Sequence, residues 1–259
     1  MVKVGKRRPR WRVLKGRAGR PQGDLFAPAA KRRRKAGVRR VGRPWKGTRA
    51  GSPHKARASF QASQPVHVVL RATSEIKSLR KRQVFHAIRV ASVVAMKWED
   101  CRIVHASVQQ SHIHLIVEAD GKEALARGMK AFQISAAKHI NAAISRGLPE
   151  RRRGAVFPDR YHVEIITTPR QARHALAYVL NNWRKHREDR RRFARGWSLD
   201  PYSTAVMFGG WKERGPILWL DTLPPGYLGL VAWLPRTWLL TAGWRKHGLV
   251  SVVHWDHRA

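Results

Sequence analysis

The sequence predicts an α+β fold for residues 59–190, in which an antiparallel sheet carries helices on one face. Two observations predict it. Apolar residues recur with a period of two in some stretches and near 3.6 in others, as strands and helices require. The elements follow in the order β-α-β-β-α-β-α, which is the ferredoxin-like, split βαβ arrangement. The chain has 259 residues, so this domain leaves room for extensions at 1–58 and 191–259.

The first half of this order is a strand, a helix and a hairpin. Apolar and polar residues alternate over 65–72, which predicts a strand with one buried face. Ser74 can cap a helix whose apolar residues recur at helical spacing up to about residue 96. The runs 102–108 and 112–119 predict two strands, and the short polar stretch between them suits a β-hairpin.

The second half is a long helix, a strand and a last helix. Apolar residues keep near one side of 122–144, and Gly147 lies where that helix should end. A further strand is predicted within 156–168. Pro169 can occupy the first position of a helix that we expect over 170–190.

The charge of the chain indicates a polyanionic partner. Lys and Arg number 53 against 16 Asp and Glu, a net charge of +37. Neutralising phosphates releases condensed counterions, so we expect nucleic acid rather than a membrane. Residues 1–58 hold 21 basic residues and one acidic residue, without apolar periodicity. They predict a disordered basic extension, with a merely solubilising tail as the alternative. The nucleic-acid-binding residues expected there are Lys31, Arg32, Arg33, Arg34 and Lys35.

Cysteine content and hydropathy bear on the compartment. The single cysteine, Cys101, excludes an internal disulfide framework and a zinc site built from several thiolates, which fits a reducing, cytoplasmic compartment. The basic amino terminus has no apolar run behind it, so no secretory signal is expected. The most apolar stretch, 217–240, is interrupted by prolines and charged residues, so we expect no transmembrane segment.

Residues 191–259 form a Trp-rich extension that holds 7 of the 11 tryptophans. These rings could stack on unpaired bases. The favoured interpretation is that they fill a small core or dock on the neighbouring sheet, since large aromatic residues more often do so.

A histidine pair lies on the third predicted strand, in the sequence HIHLIVE that begins at His112. The strand period of two sends Ile113 and Leu115 to one face, and His112 and His114 to the other. Two neighbouring imidazoles on the face away from the helices can hold a divalent metal if a third ligand arrives from elsewhere. A pair of exposed strand histidines without a metal is the alternative.

The last predicted helix can supply that ligand through the sequence AYVLNN. Tyr178 and Asn182 stand four residues apart, so they project from one helix face one turn apart. A phenol beside a carboxamide suits attack on a phosphodiester, with the amide oxygen joining the two histidines on the metal. A tyrosine packed at a helix edge is the alternative.

HIHLIVE followed two elements later by AYVLNN resembles the single-tyrosine HUH transposases of the IS200-like group, and among them the transposases associated with repetitive extragenic palindromes (REP). The resemblance covers roughly residues 62–190 and implies the HUH endonuclease type of fold. It also implies Tyr178 as the nucleophile and Mg²⁺ or Mn²⁺ held by His112, His114 and Asn182. Family members often have Pro-Asn where this chain has Gln110 and Ser111, and Pro where it has Trp183.

The function implied by the resemblance is cleavage and rejoining of single-stranded DNA with palindromic or hairpin ends. It proceeds through a 5′-phosphotyrosine intermediate, without ATP, in a monomer or homodimer associated with a prokaryotic nucleoid. Two other functions stay open on the residues alone. One is a non-catalytic nucleic-acid-binding protein on the same sheet. The other is a hydrolase in which the histidines activate water and Glu118 is the base.

Overall fold

The strands and helices come from a computed structural model that describes residues 57–194, 196–213 and 226–252. The predicted basic extension with its Lys and Arg run at 31–35 lies outside these ranges, except for its last two residues. The elements are β1 (Val66–Arg71), α1 (Arg82–Ala95), β2 (Cys101–Val108), β3 (His112–Ala119), α2 (Lys122–Ile144), β4 (His162–Ile165), α3 (Pro169–Leu180), α4 (Asn182–Lys185) and α5 (Trp238–Thr241). Short 3-10 turns occur at Ser74–Ile76, Glu188–Arg190, Arg192–Ala194, Thr204–Met207 and Gly243–His247.

The four strands form one antiparallel sheet in the order β2-β3-β1-β4. With α1 and α2 as the connections, this is the ferredoxin-like arrangement, so the predicted fold class is confirmed. The register between β1 and β3 places Val69 opposite His114 and Arg71 opposite His112. Strand β3 and helix α2 have the predicted bounds.

Helices α1 and α2 pack together on one face of the sheet. The apolar residues of β3 that alternate with the histidines, Ile113 and Leu115 among them, lie in this core and are at most 1% exposed. Helix α2 comes close to the sheet at Gly128. A Cβ atom added there would lie 2.3 Å from the Cys101 Sγ atom, so the lack of a side chain allows this approach.

The opposite face of the sheet is covered by α3 and by residues from the Trp-rich extension. Ile116 of β3 packs there with Leu176 of α3. Trp211 and Trp244 are buried in the same core, and their indole nitrogens donate to backbone carbonyls at 3.0 and 3.1 Å. The prediction that tryptophans fill a core is confirmed for these two, whereas Trp238 is 52% exposed.

Two helix bounds differ from the sequence prediction. Helix α1 begins at Arg82 and not at Ser74, because a 3-10 turn ends at Lys77, which has a left-handed backbone with φ of 59°. The last helix ends at Leu180 and not near residue 190. The next residue, Asn181, has φ of −103° and ψ of 10°, and its side chain donates to the carbonyl of Ser251 at 3.1 Å. This tertiary bond holds Asn181 outside the helical conformation, and a separate short helix, α4, follows.

In the part of the chain that the structure describes, no helix is long and apolar enough to span a membrane.

Candidate active site

The two histidines of β3 lie side by side on the sheet face away from α1 and α2, as the strand period predicts. His114 is fully buried and His112 is 8% exposed. Their ring centroids are 4.7 Å apart and their planes cross at 83°. The structure therefore brings together the pair that the sequence singled out.

Each ring of the pair is oriented through its Nδ1 atom. Nδ1 of His112 lies 3.2 Å from the hydroxyl of Ser111, one of the two positions at which this chain departs from the usual Pro-Asn. Nδ1 of His114 lies 3.0 Å from Nε2 of His67. Hydrogen bonding at one imidazole nitrogen fixes the tautomer and makes the other nitrogen the metal-binding atom. In this arrangement, Nε2 of each ring is the nitrogen suited to a metal.

A third histidine, His67 of β1, belongs to this site. It is buried, its ring stacks on His114 at a centroid distance of 5.2 Å, and its edge meets Tyr178 at 5.7 Å. Strand alternation places His67 on the correct face of the sheet. Its contact with His114 depends on the register between β1 and β3, which a local sequence pattern does not contain.

Tyr178 reaches the histidine pair from α3. Its half-buried ring stands edge-on to His114, with centroids 5.3 Å apart and planes at 88°. The ammonium of Lys185 lies 5.0 Å from the centre of the Tyr178 ring. The start of α3 is fixed by a capping box between Thr168 and Gln171, and Leu176 anchors the helix on the sheet. The predicted nucleophile is therefore beside the predicted metal ligands.

The sequence predicted Asn182 on the same helix as Tyr178, whereas in the structure it lies on the next helix, α4. Its side chain is fully buried, and neither Oδ1 nor Nδ2 has a hydrogen-bond partner among the described residues. The segment on which it lies passes along the histidine pair, because Tyr178 contacts His114 and His186 contacts His112 at a centroid distance of 5.0 Å. A buried amide without partners is costly, so this carboxamide fits a role as a ligand.

Burial keeps the imidazoles of this site neutral. It lowers the pKa of His112 to about 3 and the pKa of His67 to about 4, and it brings the pKa of His114 well below its ordinary value. Electrostatic interactions with nearby basic groups lower these pKa values further: His186 contributes most for His112, His67 contributes most for His114, and Lys185 acts on both. Neutral imidazole is the form that binds a metal, and at neutral pH these histidines are in that form.

A metal at the histidine pair would need the Asn182 carboxamide as its third protein ligand. No group of three or more His, Cys, Asp or Glu within residues 57–194, 196–213 and 226–252 is arranged to hold a metal ion. Two imidazole nitrogens from His112 and His114 with the Asn182 oxygen make a mixed set. Because Mg²⁺ prefers oxygen donors throughout, this set suits Mn²⁺ better.

Glu118, the carboxylate that the hydrolase interpretation requires, is committed elsewhere. It is fully buried and accepts hydrogen bonds from the backbone nitrogens of Thr237 at 2.7 Å and Arg236 at 3.0 Å. It also pairs with Arg102 at 3.3 Å. These contacts hold the segment before α5 on the sheet and occupy the carboxylate, which disfavours Glu118 as a general base.

Known proteins resemble the part of the chain that holds this site. The family model "Transposase IS200 like" matches residues 61–182. Two solved structures are similar at low identity. The structure of a REP-associated tyrosine transposase bound to a REP hairpin is 16% identical, with 60% of this chain and 84% of that chain covered and a TM-score of 0.44. A candidate transposase from Deinococcus radiodurans R1 is 13% identical, with 54% and 97% covered and a TM-score of 0.32. None of the curated proteins matches the chain.

The family match contains each residue that the two sequence motifs singled out for catalysis and metal binding. His112 and His114 lie within it, as does Tyr178, and it ends at Asn182. Residues 61–182 of this chain therefore resemble the IS200-like transposase family over the part that holds the candidate site.

Proposed function

We propose that the protein is a DNA strand transferase of the transposase type, which cleaves and rejoins single-stranded DNA through a 5′-phosphotyrosine at Tyr178. The observation that carries the proposal is the position of the Tyr178 ring, 5.3 Å from the His114 ring on a sheet face that also holds His112 and His67. A phenol among neutral imidazoles suits attack on a phosphodiester. The match of residues 61–182 to the family model of IS200-like transposases supports the same class of activity.

The proposed reaction is a transesterification in two matching steps. The Tyr178 oxygen attacks the scissile phosphorus and loses its proton as the new P–O bond forms. The bond from phosphorus to the 3′-oxygen breaks, and that oxygen leaves as a free 3′-hydroxyl after taking up a proton. A second 3′-hydroxyl then attacks the phosphotyrosine and restores the phenol. The ester bond is conserved at every stage, so neither ATP nor water as a nucleophile is needed.

The residues around Tyr178 have separable roles in this reaction. His112, His114 and Asn182 would hold Mn²⁺ or Mg²⁺, which when bound polarises the scissile phosphate. His67 orients His114 through the 3.0 Å contact. Lys185, with its ammonium 5.0 Å from the Tyr178 ring, provides positive charge where the phenol and the phosphate meet.

The DNA partner we propose is a single strand that ends in a hairpin. The net charge of +37 supports a nucleic acid, and the basic extension at 1–58 with Lys31, Arg32, Arg33, Arg34 and Lys35 would add contacts to phosphates. The REP hairpin named for one of the solved structures is the natural first substrate to try. Removing residues 1–58 should lower the slope of log affinity against log salt.

The test is a denaturing gel of the full-length protein with Mn²⁺ and end-labelled single-stranded hairpin oligonucleotides. We expect a labelled band at protein mass that is lost in Tyr178→Phe. Tyr161→Phe is the matched control, since Tyr161 is buried in the core beneath α1 and α2, and it should keep the band. If oligonucleotides bind on a native gel but the wild type forms no band, the chain is a non-catalytic DNA-binding protein.

A further inference from the structure

A pocket of about 510 Å³ lies outside the histidine site. It opens beside the start of α1, and its walls come from α1, from Arg146, the second residue after the end of α2, and from residues 201–202 and 226–228 of the Trp-rich extension. Its aromatic and basic lining residues are Phe85, Tyr202, Tyr227, Arg82, His86 and Arg146. Among the described residues, no acidic side chain lines it.

The aromatic wall of the pocket is held in place by its own contacts. The Phe85 ring lies 6.4 Å from the Tyr227 ring and nearly parallel to it, at 12°, and it meets the Tyr202 ring edge-on at 4.8 Å. The Tyr227 hydroxyl donates to the carbonyl of Pro201. Tyr202 in turn lies over the guanidinium of Arg80 at 4.1 Å. Phe85 is buried beneath the two tyrosines, so the half-buried rings of Tyr202 and Tyr227 are the ones that a planar base can reach, and their fixed positions remove the cost of ordering them first.

The basic residues of the pocket are available to an anion. Arg82, His86 and Arg146 are exposed, and Arg82 and Arg146 form no ion pair with any described residue. The described lining residues combine cations with aromatic rings and include no carboxylate, which matches the two parts of a nucleotide. The base would meet the rings, and the phosphate would meet the guanidinium groups.

A continuous set of contacts joins this pocket to the active site. Arg80, which Tyr202 covers, is held by both oxygens of Asp200 at 2.8 and 2.9 Å. Arg80 also donates to the carbonyl of Val108 at 2.9 Å, at the end of β2, and lies 3.8 Å from Glu188. Glu188 follows His186 by two residues, and His186 packs against His112. The pocket and the histidine pair therefore sit at the same end of the sheet, within reach of one DNA strand.

We propose that this pocket binds one unpaired base of the DNA substrate, with the adjoining phosphate held by Arg82 and Arg146. The choice of DNA as the ligand rests on the proposed function. Tyr202, Tyr227 and Pro201 lie beyond the family match at 61–182, so this base-binding site is supplied partly by the Trp-rich extension. It selects which strand is held while Tyr178 reacts.

The binding test uses the full chain and two fluorescein-labelled 20-mers, oligo-dT and an abasic strand of equal length. We expect the wild type to prefer oligo-dT to the abasic strand, and Tyr227→Leu to remove most of that preference. Arg82→Gln combined with Arg146→Gln should weaken oligo-dT binding about tenfold. The matched control, Lys130→Gln with Lys138→Gln, removes the same charge from exposed positions of α2 and should change affinity less than twofold.

The results that overturn the proposal are equally specific. Equal losses of oligo-dT affinity in the double arginine variant and the double lysine variant would mean that only non-specific charge attraction acts. An unchanged preference for oligo-dT over the abasic strand in Tyr227→Leu would exclude base stacking on Tyr227. Thermal unfolding of each variant, and photocrosslinking of a 5-iodouracil strand to the wild type, keep the test valid if a variant misfolds. Crosslinks must map to peptides holding Phe85, Tyr202 or Tyr227. Failure of the proposed function would look different, because the covalent Tyr178 band would be missing while the pocket still bound oligo-dT.

Discussion

We expect the substitution Asn182→Leu to stabilise the metal-free protein and at the same time to abolish Mn²⁺ binding. The Asn182 side chain is fully buried, and both of its polar atoms lack partners among the described residues. A buried polar group without a hydrogen bond costs about 1–3 kcal/mol of folding free energy. Leucine has a similar volume and no polar atom, so it removes that cost.

The expected size of the effect follows from these values. A gain of about 2 kcal/mol in the free energy of unfolding raises the Tm of a domain of 150–250 residues by roughly 4–8 °C. The wild type should in turn be stabilised by Mn²⁺, by about 2.7 kcal/mol at a metal concentration one hundred times the Kd. Asn182→Leu should show no stabilisation by Mn²⁺ and no covalent DNA adduct.

The assay is thermal unfolding with EDTA and then with increasing Mn²⁺, for the wild type, Asn182→Leu and Asn181→Leu. Asn181 is the matched control, because it is also buried but its amide donates to the carbonyl of Ser251 at 3.1 Å. Asn181→Leu should therefore lose stability in EDTA. The reasoning is refuted if Asn182→Leu unfolds at a lower temperature than the wild type in EDTA, or if Mn²⁺ still stabilises it.

Four further substitutions test other parts of the account. His67→Phe removes the bond to His114 and should weaken Mn²⁺ binding about 10–100-fold by calorimetry; unchanged affinity would exclude an orienting role. Glu118→Ala leaves Arg102 and two backbone N–H groups without their buried acceptor, and should lower the free energy of unfolding in urea by about 3–5 kcal/mol. A decrease below about 1 kcal/mol would contradict the role of Glu118 in holding the segment before α5 on the sheet. Gly128→Ala should cost about 1–3 kcal/mol in urea unfolding by overpacking against Cys101, and the double variant with Cys101→Ala should recover only part of it, because the Cβ of residue 101 would still lie 2.6 Å from the added methyl group. Burial lowers the pKa of His105 to about 4, whereas the same group in the unfolded chain takes up a proton near pH 6.5, so stability should fall as pH drops from 6.5 to 4, by about 3 kcal/mol for this group. His105→Gln should reduce this slope by its share, with His67, His112 and His114 supplying the rest, and an unchanged slope would refute the assignment.

The sequence was informative where the pattern is local. The period of two in β3 separates the histidines from the apolar residues, and the bounds of β3 and α2 follow from periodicity alone. Pro169 correctly predicts the start of α3. The order of the elements then leaves few topologies, which is why the fold class could be predicted.

The parts that the sequence did not predict depend on tertiary contacts. The end of α3 is set by a bond from Asn181 to Ser251, 70 residues later. The contact of His67 with His114 depends on the register between β1 and β3. The hydrogen bonds of Glu118 depend on the position of residues 236 and 237, which follow it by more than 100 residues. The aromatic pocket combines α1 with residues 201–202 and 226–228, which no local pattern connects.

The most direct test of the central claim is the identity of the residue and the DNA end in the covalent product. We would digest the adduct formed with Mn²⁺ and a hairpin oligonucleotide, and locate the nucleotide by peptide mass spectrometry. The account predicts a 5′-phosphate linked to the peptide that holds Tyr178, together with a released strand that a polymerase can extend from its 3′-hydroxyl. A nucleotide on any other residue, or a released strand that ends in a 3′-phosphate, would contradict it.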